Sequence, residues 1–126
     1  MNNQRFLLLI ASVSLLFIPA LLLAHHSAAA YESTKQITVK GTVTEFRFVN
    51  PHVLIYVTAT DEGGTTRKWQ GEMTSPNHLL RAGWKQDIMK AGDEIAVTGY
   101  PSKDGGNSIR STKVVLKGQT LSTDVE

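Results

Sequence analysis

Apolar residues fall along this chain in two very different rhythms. From Phe6 to Ile18 they run almost unbroken, interrupted only by Ser12 and Ser14, with Arg5 just ahead and Pro19 just behind. A short positive segment, an apolar run of this length and a break followed by small residues is the grammar of a secretory signal. From Gln36 onward the rhythm becomes strict alternation. Ile37, Val39 and Val43 alternate with Thr38, Lys40, Thr42 and Thr44, which predicts a strand with one buried face. Gly41 interrupts that strand and the apolar parity slips to Phe46 and Phe48, predicting a bulge or a sharp coil.

Asn50-Pro51 turns the chain into a second alternating run through Val53, Ile55, Val57 and Ala59. Asp61-Glu62-Gly63-Gly64 makes a hairpin into a third strand through Trp69, Gly71 and Met73. Ser75-Pro76 supplies an N-cap hydroxyl and a proline at the first helical position. Leu79-Leu80 follow, and Gly83 ends a short helix. Lys90-Ala91-Gly92-Asp93 then turns into a fourth strand at Ile95–Tyr100, and the loop Lys103–Asn107 leads to a fifth at Ser108–Leu116. The order β-β-β-α-β-β, with a coiled first strand and a helix after the third, predicts an all-β domain with one short helix: a five-stranded OB-like barrel.

These readings divide the chain into a signal peptide (1–24), an N-terminal arm (25–35), the barrel (36–118) and a C-terminal tail (119–126). Cleavage after Ala24 makes His25 the first mature residue. Ala28-Ala29-Ala30 offers a second site just before Tyr31, and an uncleaved Phe6–Leu23 is long enough to anchor in a membrane. The expected location is the periplasm or the exterior, with no stable membrane insertion after cleavage. Charge and composition narrow the role further. Losing Arg5 leaves 12 basic against 11 acidic residues, and only Arg67-Lys68 are adjacent cations, which argues against nucleic-acid binding. Without cysteine there is no disulfide, thiolate ligand or thiol nucleophile. No H-E-x-x-H, G-x-S-x-G or phosphate-loop pattern occurs either, so the chain carries no enzyme signature.

Four spaced motifs carry a resemblance: Ala24-His25-His26-Ser27, Asn50-Pro51-His52, Pro76-Asn77-x-Leu79-Leu80-Arg81-x-Gly83-Trp84, and Lys90-x-Gly92-Asp93. With these the chain resembles a family of small exported bacterial proteins known only as a domain of unknown function. The resemblance spans nearly the whole mature sequence and implies an envelope location and an OB-like barrel. It implies no activity and no assigned site.

All four histidines lie at junctions, His25 and His26 at the expected mature start, His52 in the first loop and His78 in the first turn of the helix. An N-terminal histidine offers its α-amino nitrogen and ring Nδ1 to one metal, and one or two further imidazoles complete the tetragonal nitrogen set that Cu(II) prefers. In an up-down-up meander the first loop and the end of the third strand share a pole, which would make His52 and His78 neighbours. His25 would join them only along the arm to Lys35, whose fully extended reach is about 33 Å. Each histidine also has a plainer role: a polar start to a loose arm for His25 and His26, a turn cap for His52, a surface position for His78. Met73, Met89, Trp69 and Trp84 read as packing residues. The expected function is an envelope binding protein without catalysis, holding copper through His25 with help from His26, His52 or His78. The alternative is an interaction domain that docks a peptide or an envelope protein on the barrel face or edge.

Overall fold

A computed structural model describes residues 29–123; the predicted signal, His25 and His26 lie outside them. Six strands and one helix follow in order: β1 (Ile37–Arg47), β2 (Leu54–Thr60), β3 (Thr66–Glu72), α1 (Pro76–Arg81), β4 (Glu94–Pro101), β5 (Ser108–Leu116) and β6 (Gln119–Leu121). The sheet runs β3-β2-β1-β4-β5-β6, and β3 closes it by pairing with β5. Five strands thus form the closed ring of an OB-type barrel, with β6 added as a short flap beyond β5. Three residues of alternation are too few to announce such a strand in the sequence.

The barrel closes because β1 serves two neighbours. Its first half pairs with β4, from Ile37 opposite Gly99 to Thr42 opposite Glu94, and its second half pairs with β2 as far as Arg47 opposite Leu54. Between Val43 and Glu45 the register with β2 shifts by one residue, and this bulge is the parity slip that brings Phe46 inward. Gly41 sits where the backbone of β2 passes close to β1. A Cβ there would fall on the backbone carbonyl of Thr58.

The inward set Val39, Val43, Val53, Ile55, Val57, Ile95, Val97, Ile109 and Val114 forms one core with Leu79, Trp84, Met73 and Met89. Each fully buried aliphatic side chain contributes about 1.5–3 kcal/mol by leaving water. The helix is brief because Ser75 caps it, Pro76 starts it and Gly83, at φ +92°, stops it. Its one fully buried leucine, Leu79, covers the end of the barrel. Trp84 follows the helix, packs near Phe46 and donates its Nε1–H to the carbonyl of Ser122 at 2.6 Å.

Closure is uneven around the ring. β4 and β5 are paired from Ile95 opposite Leu116 to Pro101 opposite Ile109, but β3 and β5 meet only at Gln70, Gly71 and Glu72, in parallel. Among the described residues, no helix is long and apolar enough to cross a membrane.

Candidate functional site

The short parallel seam between β3 and β5 carries a cluster of polar side chains. The Met73 amide donates to the Val53 carbonyl at 2.9 Å and the Val53 amide to the Thr74 carbonyl at 3.1 Å, which places the loop before β2 against the end of β3. His52 lies in that loop and Glu72 ends β3. Their side chains meet, His52 Nδ1 lying 2.8 Å from Glu72 Oε1. The Glu72 side chain is only 16% exposed, whereas that of His52 is 40% exposed. Against a carboxylate, Nδ1 carries the ring proton, so Nε2 of the neutral imidazole keeps its lone pair.

The other carboxylate oxygen is also engaged. Tyr31 donates its hydroxyl to Glu72 Oε2 at 2.9 Å. A phenol has one proton, so the hydroxyl of Ser108, at 2.9 Å, donates to Tyr31 in turn. Burial pushes the Tyr31 phenol above its ordinary pKa, the Ser108 hydrogen bond opposes that shift, and the negative charge of Glu72 adds to it. Tyr31 is held by its backbone as well. It bridges Ser102, and the Glu32 amide donates to the Pro101 carbonyl at 2.9 Å. The residue is 7% exposed and belongs to the buried set.

Loop, strand end and pre-barrel segment therefore converge on one carboxylate. Sequence reasoning identified His52 but missed Glu72, Tyr31 and Ser108. Topology did signal that the first loop meets the end of β3. The residue the structure sets on His52 is Glu72, whereas His78 lies farther along, on α1, its backbone N–H directed to the Ser75 hydroxyl at 3.4 Å. Tyr31 gave no signal, because its partners lie 41 and 77 residues away. Among the described residues, no group of three or more His, Asp or Glu side chains is arranged to hold a metal ion. The His52–Glu72 pair is instead one oriented imidazole with a carboxylate behind it, an arrangement found behind many metal-bound histidines.

A closed five-stranded barrel with a helix after its third strand defines the class of protein, an OB-type barrel domain. A model of a family of unknown function (DUF6152) matches residues 13–110, and the chain belongs to that family. No curated protein matches the chain. A solved structure similar to it is the small single-stranded DNA-binding protein from Streptomyces coelicolor. That likeness has 17% identity and a TM-score of 0.42, and covers 66% of this chain and 91% of that one.

Proposed function

We propose that the protein is an exported binding module of the bacterial envelope that holds Cu(II), without catalysis of its own. One observation carries this reading: the Glu72 carboxylate, 2.8 Å from His52 Nδ1, sets the tautomer that leaves Nε2 as the donor. A single imidazole is too few donors. The amine and ring of His25, the first mature residue after cleavage at Ala24, supply the others, with His26 and His78 as further candidates. Chain length supports the same reading. Tyr31 is held on the carboxylate that holds His52, and His25 lies six positions before it, a tether of about 20 Å when extended, against about 33 Å when measured to Lys35.

The test is native mass spectrometry of the protein exported with its own signal, before and after one equivalent of Cu(II) in the presence of a weak competing chelator. The expected species begins at His25 and retains one copper, and His25→Ala abolishes retention. A chain beginning near Tyr31, or one that loses copper to the chelator, sinks this reading.

A second reading, docking of an extended peptide, has an observation of its own. Where β1 turns from β2 toward β4, Ile37, Val39, Ala59 and Trp69 line an open cleft of about 490 Å³, rimmed by charges of both signs from Lys40, Arg67, Asp61 and Glu62. The free side of a strand beside an apolar floor suits an added strand. His25→Ala separates the two readings, since docking does not need that residue.

A further inference from the structure

Glu72 does two things at once, and nothing in the copper reading requires the second. One oxygen holds His52, and the other holds Tyr31, the side chain that pins the segment before β1 across the seam between β3 and β5. Arg110 stands opposite Glu72 in the register of that seam, and its charge is felt at the Tyr31 phenol. Ser108 completes the set. We propose that Glu72 is a positioning residue that links the orientation of His52 to the docking of the Tyr31 segment, so that the two are ordered together.

The physical basis is the geometry of one carboxylate. A glutamate side chain has three rotatable bonds, and ordering it costs entropy that takes back much of what a single charge-assisted hydrogen bond supplies. Two donors on its two oxygens share that cost. If His52 is removed, the carboxylate loses one of the groups that order it and its grip on Tyr31 weakens. If the Tyr31 hydroxyl is removed, the same carboxylate orients the imidazole less firmly. This coupling deepens the copper reading, because a ligand at His52 would then also tighten the segment that leads back to His25, but its test needs no metal.

Amide hydrogen exchange on the full mature chain without metal reads the docking directly, because the Glu32 amide is bonded to Pro101 only when the segment is seated. Tyr31→Phe is expected to speed Glu32 exchange about tenfold, which corresponds to one lost hydrogen bond of about 1.4 kcal/mol. The linked prediction is that His52→Ala, distant in sequence from Glu32, speeds the same amide at least threefold. The Val43 amide, bonded to Asp93 within the barrel, should keep its wild-type rate in both variants and so reports that the fold is intact. Nitrogen shifts of the His52 ring supply the reverse reading, with the Nδ1–H form losing its dominance in Tyr31→Phe. Unchanged or slower Glu32 exchange in His52→Ala overturns the coupling. Failure of copper retention in the mass-spectrometric test, with the exchange coupling present, overturns the copper reading alone.

Discussion

Asp93 and Glu72 are both carboxylates withdrawn from water, yet their surroundings differ in kind. Asp93 is 6% exposed and sits in the turn before β4, where it accepts from the Lys90 amide at 3.0 Å and lies 3.0 Å from Lys117 Nζ and 3.4 Å from Lys90 Nζ. Lys117 first, and then the Lys90 amide, hold its carboxyl below the ordinary carboxylate range. Its partners are two ammonium groups and a backbone amide, all close to the turn that it ties down. Glu72 is paired with an imidazole and a phenol, both of which retain chemistry of their own. The lesson is that burial of a carboxylate does not mark function. A carboxylate held by ammonium groups and an amide around one turn fixes that turn, whereas one shared by an imidazole and a phenol from separate segments can orient a site.

The contrast is open to breaking by substitution. The largest effect on stability is expected from Asp93→Asn, which removes the charge facing both lysines and lowers Tm by several degrees in a thermal melt, with copper retention unchanged. The sign with pH follows from the depressed folded value. The stabilisation is present above the unfolded carboxyl pKa of about 3.9 and is lost as pH falls through the lower folded value. Wild-type Tm should therefore drop steeply below about pH 4, and more steeply than that of the variant. Glu72→Gln should cost less stability, but it turns an amide N–H toward one of two donors and should weaken copper binding about 10- to 100-fold by competition titration. Equal losses of stability in the two variants would erase the distinction. Smallest of all is Lys90→Met. Its Nζ is largely in water and the backbone amide does the holding, so a change in unfolding free energy within about 0.5 kcal/mol is expected from urea titration.

Much of the barrel was legible from the sequence because alternation, turn glycines and a capped proline act over a few residues. The bulge is the clearest case. Gly41 and the slip from Val43 to Phe46 announced it, and the register shift between Val43 and Glu45 is where it lies. His52 was legible as a titratable residue beside a turn. Its partner was not, since Glu72 continues the ordinary polar face of Lys68 and Gln70 along β3. Tyr31 was hidden more deeply, within a segment whose polar neighbours Glu32, Ser33 and Thr34 read as a loose arm. Contacts that depend on closing a ring between β3 and β5 have no local signature, because the register of a parallel pair is set by everything between its strands.

The three-pair seam has a consequence in time as well as in space. Chains are made from the N-terminus, so Tyr31 exists long before Glu72 and Ser108, the two residues that receive it. Until β5 arrives, β3 and β4 are both bare edges, open to pairing with any extended neighbour. The ring and its clasp are therefore completed by the same late event, and a chain cut short before Ser108 would display two sticky margins and a tyrosine missing one of its two hydroxyl partners.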